Sequence, residues 1–259
     1  MLSSEALQSL IAVALRASEA AAAVLTTPTG EQGDAPRVND DEGRDIKLEM
    51  DLLAEKAILN HLTSASPYAI LSEESGVLAS KSSRTQARDE DYVWIVDPLD
   101  GTYNYFRGIP LCCISIAFFR GNHPLFGIVN DFNHADIYVG IVGSGAQKNG
   151  APISVSGVAE KSQAVLCTGL PVASDFSHQA RTRLVADLGD FKKVRMIGSA
   201  ALSLALVACG KADYYRENKI ALWDVAAGIA LVEAAGGKVE MGATEDRLRR
   251  DVRASNGRL

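Results

Sequence analysis

The chain is short of several things that would direct its reading. It has four cysteines and four histidines in 259 residues. The cysteines (Cys112, Cys113, Cys167, Cys209) show no CxxC spacing and sit in apolar surroundings, so they read as small core residues rather than disulfides or a zinc site. The histidines are scattered without metal-ligand spacing. There is no Lys/Arg-rich block, and the net charge of -6 excludes a basic nucleic-acid face as the main design. The N-terminus carries no basic region ahead of its apolar residues, and no apolar run approaches the roughly 20 residues of a membrane span, so a cytoplasmic address without a membrane is expected.

What is present is 47% hydrophobic residues and 22% charged, enough to bury a full core. Ser3-Ser4-Glu5 opens an Ala-rich helix over residues 3–25. Residues 26–44 turn to Thr, Pro, Gly, Asp and Asn and read as a loop or lid, with Asp40-Asp41-Glu42 solvated. A helix follows to about residue 63, with Asp51 near its start as a cap. Residues 68–71 read as a strand ending in Ser72-Glu73-Glu74-Ser75, and 79–91 as a polar connection. Apolar runs at 111–119, 125–129 and 136–142 predict further strands. In the second half, strands are expected at 164–169, 192–197, 212–216 and 238–241, and helices at 178–188, 200–209 and 224–235. Two sub-domains are expected, 1–150 (α+β) and 151–259 (α/β).

The stretch around which the chain is organised is Tyr92 to Phe106. A buried strand (Val93 to Val96) delivers Asp97 and Asp100 to a Pro/Gly turn, with Thr102 just beyond. Strand ends are where α/β proteins place chemistry. Two carboxylates there repel unless a cation lies between them, and oxygen ligands call for a hard cation such as Mg²⁺. Read alone, the same residues also serve as ordinary turn formers. A second stretch, Glu217 to Gly228, sets Asp224 at the mouth of an Ala/Gly-rich helix, where it also reads as an N-cap.

Glu73-Glu74-Ser75, Asp97-Pro98-Leu99-Asp100-Gly101-Thr102 with Asn104, and Trp223-Asp224-Val225-Ala226-Ala227-Gly228 with Gly236-Gly237 together resemble the inositol monophosphatase family of Mg²⁺-dependent, lithium-sensitive sugar phosphatases. The order and spacing of these blocks match over nearly the whole chain. The resemblance implies a layered α/β/α/β/α fold and a homodimer. It implies that Glu73, Asp97, Asp100, Asp224 and the Leu99 carbonyl hold two or three Mg²⁺ ions, Glu73 rather than Glu74 because it stands first in the pair. It implies that Asp51 and Thr102, with Glu73, position and activate the attacking water. Gly101 and Thr102 would turn backbone N–H groups to the phosphate, as N–H groups at a turn or helix start do. Gly198, Ser199, Ala200, Glu217 and Asp224 would face substrate hydroxyls.

The implied activity is hydrolysis of a small polyol or sugar monophosphate, inositol 1-phosphate by default, through direct in-line attack of a metal-activated water. Fructose 1,6-bisphosphate, a 3′-phosphoadenosine nucleotide and histidinol phosphate are alternative substrates, and a non-catalytic regulatory homologue is the alternative of another kind. The Asp-x-x-Asp spacing counts against an aspartyl-nucleophile phosphatase. Tyr103, Tyr105, Gln147, Lys219 and Leu222 depart from the family pattern, and a bisphosphate or nucleotide would find extra cations in Arg216 or Lys219.

Overall fold

A computed structural model describes residues 2–27, 38–41, 46–78, 92–243, 246 and 248–259. Helix α1 (Ser4–Thr26) starts where the Ser3 hydroxyl accepts the Ala6 N–H at 3.1 Å. Strands β1 (Val38–Asp41) and β2 (Ile46–Leu48) pair antiparallel, so part of the segment expected as a loop is strand. The lid reading of residues 28–37 and 42–45, the side chains of Asp40, Asp41 and Glu42, and the connection 79–91 lie outside the described residues.

Helix α2 (Glu49–Ala65) leads into β3 (Ala69–Ser72), β4 (Gly76–Leu78) and β5 (Tyr92–Asp100). A short helix, α3 (Thr102–Phe106), follows, then β6 (Cys113–Arg120), β7 (His123–Asp131), β8 (Asp136–Ile141), β9 (Gly145–Lys148) and β10 (Ala151–Ile153). Between the strands expected at 111–119 and 125–129 lies only a tight turn, and His123 and Pro124 already belong to β7. These strands form one eight-stranded sheet in the order β10-β9-β8-β7-β6-β5-β3-β4.

The rest of the chain forms β11 (Val165–Thr168), α4 (His178–Asp190), β12 (Lys193–Arg195), α5 (Ala200–Ala208), β13 (Tyr214–Ala221), α6 (Leu222–Ala234), β14 (Lys238–Ala243) and β15 (Arg249–Ser255). Their five strands run β12-β11-β13-β15-β14. β13 extends five residues beyond the strand expected at 212–216, and α6 begins two residues before Asp224.

The layers follow from the side-chain pattern. Along β5, Trp94 and Val96 pack with α1 and α2, whereas Ile95 packs on the opposite face with α5 and α6. α5 and α6 are apolar nearly all round because both of their sides are covered, as a helix between two sheets requires. Close seating of α6 depends on two glycines of the large sheet. A Cβ on Gly127 would lie 2.3 Å from the Ala227 carbonyl oxygen, and one on Gly140 would lie 2.7 Å from Leu231 Cα.

α1 corrects one expectation. By length and composition it is apolar enough to cross a membrane, because alanine replaces polar residues through most of its turns. Its Leu10, Ile11, Ala14, Ala17 and Ala21 are buried against α2 and the large sheet, which accounts for the apolar face as core.

Candidate active site

Parallel pairing builds the first half of the site. β3 runs alongside β5 with Leu71 opposite Ile95 and Ser72 opposite Val96, so the residues just past these pairs, Glu73 and Asp97, emerge side by side. The Glu73 N–H donates to the Val96 carbonyl at 3.2 Å and fixes that step.

Asp97 and Asp100 pose a problem of parity. Residues three apart on a regular strand face opposite sides of the sheet. The pairing of β5 with β6 shifts between Asp97 and Asp100, however, and the alternation slips with it. Leu99 falls into the core on the α1/α2 side, and Asp100 turns to the side of α5. Pro98, which has no N–H to give, is accommodated within this irregularity. The Leu99 N–H donates to Asp97 Oδ1 at 2.9 Å, and the Leu99 carbonyl accepts the Thr102 hydroxyl at 3.0 Å.

The remaining carboxylate comes from the first turn of α6. Glu73, Asp97 and Asp224 each offer an oxygen within 4.8 Å of the others, with Asp97 buried and the other two partly so. Asp100 is held beside them by donors at the start of α5: Ser199 Oγ to Oδ2 at 2.5 Å, Ala201 N–H to Oδ2 at 2.7 Å and Ala200 N–H to Oδ1 at 3.3 Å.

The electrostatics match this crowding. Burial, then the charges of Glu73, Asp100 and Asp224, push the Asp97 carboxyl well above the usual carboxylate range. Asp224 is raised in the same way by burial, Glu73, Asp100 and Glu217. Burial raises Asp100 to about 6 against the pull of Ser199, Ala201 and Ala200. A buried, oxygen-only group of mutually repelling carboxylates fits a hard divalent cation, whose charge would offset what burial and repulsion cost.

The other expected site residues are placed as follows. Asp51 is buried in the first turn of α2, and its Oδ2 accepts the Leu48 N–H at 2.7 Å, a capping contact. Gly101, at φ +90°, turns the chain from β5 into α3, whose first turn has N–H groups without helical partners. Gly101 and Gly198 lie back to back: a Cβ on Gly101 would meet the Gly198 carbonyl oxygen at 3.2 Å. Ser199 is buried, and its hydroxyl is spent on Asp100 and on the Leu202 N–H. Glu217 is buried on β13, and its carboxyl is raised to about 8 by burial and by the charge of Asp100.

Three contributors were not legible as such. Glu55 is buried one turn beyond Asp51 and accepts both the Ser75 N–H at 3.0 Å and its hydroxyl at 2.6 Å, bracing the Glu73-Glu74-Ser75 turn. The i, i+4 spacing of Asp51 and Glu55 on a helix was the available signal. Asn104 donates from Nδ2 to Leu111 O at 2.7 Å and Ile197 O at 2.8 Å, tying the α3 turn to the loop before α5. Ala201 acts only through its backbone N–H, which no side-chain motif marks.

Two mixed sheets with helices packed between them, and buried carboxylates gathered at a strand end, define a layered α/β protein with an acidic, cation-type site. The pattern of the inositol monophosphatase family matches residues 5–258, and the chain belongs to that family. It is 38% identical over 197 residues to Nus factor SuhB of Xylella fastidiosa, covering 75% of this chain and 68% of that one. It is 36% identical over 221 residues to inositol monophosphatase 3 of Solanum lycopersicum, covering 83% and 81%. The solved inositol monophosphatase from Anabaena (Nostoc) superposes with a TM-score of 0.79 at 34% identity, covering 97% of this chain and 92% of that one.

Proposed function

We propose that the protein is a Mg²⁺-dependent phosphomonoesterase acting on a small phosphorylated polyol or sugar, with inositol 1-phosphate as the reference substrate. The observation that carries this reading is the convergence of Glu73, Asp97 and Asp224 within 4.8 Å of one another, next to a turn with open N–H groups. Glu73, Asp97, Asp100, Asp224 and the Leu99 carbonyl would hold the metal. When bound, Mg²⁺ supplies charge neutralisation at the phosphoryl oxygens, acidifies a water and stabilises the leaving alkoxide.

The chain's own groups do the rest. The N–H groups of Gly101 and Thr102 orient the phosphate. The Thr102 hydroxyl donates its hydrogen bond to Leu99 O, which leaves its oxygen free to accept from a water. Asp51, with its backbone contact fixed, is the second group assigned to that water. The water oxygen bonds to phosphorus as the ester P–O bond breaks, the alcohol leaves with a proton, and inorganic phosphate remains. Glu217, buried beside the cluster, meets a hydroxyl of the sugar.

Some relatives carry the name Nus factor, so the competing reading is a fold retained without catalysis. The complete carboxylate set supports the enzyme. Phosphate release from a panel of phosphomonoesters, with and without Mg²⁺ and with added Li⁺, decides between them. Release that requires Mg²⁺ is expected, and no release from any compound would overturn the proposal.

A further inference from the structure

Beside Glu217, a cleft of about 500 Å³ opens between the chain leaving β11, the first turns of α4, and β13. That volume lies within the range of roughly 300–1,000 Å³ usual for ligand sites. The cleft leads to the carboxylate cluster through Glu217, which lines it and whose charge bears on Asp224. Gly169 leaves room at that junction, because a Cβ there would sit 2.6 Å from Glu217 Oε1.

The mouth of the cleft is cationic in a chain whose net charge is -6. Four basic side chains line it, Arg181, Arg183, Arg216 and Lys219. Arg216 pairs with Asp187 on α4 and holds the wall together. Among the described residues, Arg181, Arg183 and Lys219 are exposed and make no ion pair. Besides Glu217, two carboxylates share the lining, and the four cations outnumber them: Asp175, which accepts the Ser177 N–H at 2.7 Å and its hydroxyl at 3.0 Å and feels the charge of Lys219, and Asp251, which accepts the Lys219 N–H at 2.8 Å.

Lys219 is placed at a conformational cost. It lies at the irregularity where β13 loses register with β15, and its φ is +54°, a left-handed conformation that side chains such as lysine's disfavour. A glycine would adopt it freely. The lysine instead brings a cation to the rim of a cleft that ends at the proposed reaction centre.

We propose that the physiological substrate carries, besides the scissile phosphate, a second anionic group, phosphate or carboxylate, received at this mouth by Lys219, Arg181 and Arg183. The proposal rests on the phosphatase reading for the scissile end. A purely hydroxylated ring has no use for three exposed cations on this cleft, whereas a phosphate or carboxylate is what guanidinium and ammonium groups recognise.

The test uses the full chain with Mg²⁺ and two matched pairs: fructose 1-phosphate against fructose 1,6-bisphosphate, and sorbitol 6-phosphate against 6-phosphogluconate. A second anion is expected to raise kcat/KM by about tenfold, mainly through KM, as expected for one or two partly exposed charge-assisted contacts. The first pair reports phosphate and the second carboxylate. In the Lys219→Met, Arg181→Gln double variant that preference should fall towards unity. Equal treatment within both pairs, or a preference that survives in the variant, overturns the proposal. Calorimetric titration with the same four compounds in EDTA, where release is not expected, reads affinity without turnover. If neither these four compounds nor inositol 1-phosphate is hydrolysed, the phosphatase reading fails, and calorimetry still decides the anion site: equal affinity within both pairs refutes it.

Discussion

The Ser199 hydroxyl donates to Asp100 Oδ2 at 2.5 Å across 99 residues of sequence. The same oxygen caps α5 by accepting the Leu202 N–H at 3.2 Å. One side chain therefore starts a helix and holds a carboxylate at the end of a strand in the other sheet. Ser199→Ala removes both contacts. A helix cap contributes about 1 kcal/mol and a hydrogen bond to a charged group about 1.5–3, so a loss of about 2.5–4 kcal/mol is expected. Urea unfolding measures it, and a midpoint close to that of the native protein would show that Asp100 does not depend on Ser199.

Gly127→Ala should lift α6 from the sheet, since the new Cβ would come within 2.3 Å of Ala227 O. Overpacking of this kind costs about 1–3 kcal/mol. Because α6 carries Asp224 in its first turn, phosphate release should fall as well at temperatures where the variant stays folded. Gly189→Ala is the control: it is exposed near the end of α4 with nothing within 4 Å of the new Cβ. It should be neutral or stabilising by up to about 1 kcal/mol. Thermal melts of the two variants should move in opposite directions or by clearly different amounts.

Asp97→Asn should separate stability from activity. Asp97 is buried among like charges that raise its carboxyl well above the usual range. Removing its charge relieves that repulsion, so the metal-free protein should become more stable by on the order of 1 kcal/mol. Loss of a direct ligand should lower phosphate release by more than the roughly 10–100-fold seen for the groups that merely support ligands. A variant that melts lower in EDTA than the native protein, or one that keeps its rate, would contradict this account of the cluster.

Glu217 should leave a signature in the pH dependence of stability. Its carboxyl is raised from 4.5 to about 8 on folding, so between those values the folded chain holds a proton that the unfolded chain has released. Stability from this group is complete below the lower value and is lost as pH rises towards the upper one, by at most about 1.4 kcal/mol per pH unit. Glu217→Gln should flatten the slope by that amount between pH 6 and 8 in metal-free protein. Chemical denaturation at several pH values tests it, and parallel slopes for the two proteins would refute it.

Much of the site was legible because its carboxylates lie on short contiguous motifs. Asp97 to Thr102 could be read from a buried strand running into a turn, and Asp224 from the start of an Ala/Gly-rich helix. What could not be read was supplied by distant backbone and by side chains with ordinary identities: Ala201 N–H on Asp100, Asn104 on Ile197 O, and Glu55 on Ser75. The fold was hidden for a related reason. β15 contains Arg249, Arg250, Asp251 and Arg253, a charged run with no strand-like alternation, yet it lies between β13 and β14 with pairing on both sides. The left-handed φ of Lys219 was equally invisible, since lysine gives no sign of a position suited to glycine.

The slip in β5 between Asp97 and Asp100 bears on how the protein can vary. Substitution at Leu99 alters core packing on one face and leaves the phase of the chain unchanged. Removing one residue from this segment would restore regular alternation and leave Asp100 on the face of Asp97 but drawn back by about 3.3 Å along the strand, out of place for its donors at the start of α5. The stretch is therefore constrained in length more tightly than in identity, and insertions and deletions here should be lethal to the site where conservative replacements are not.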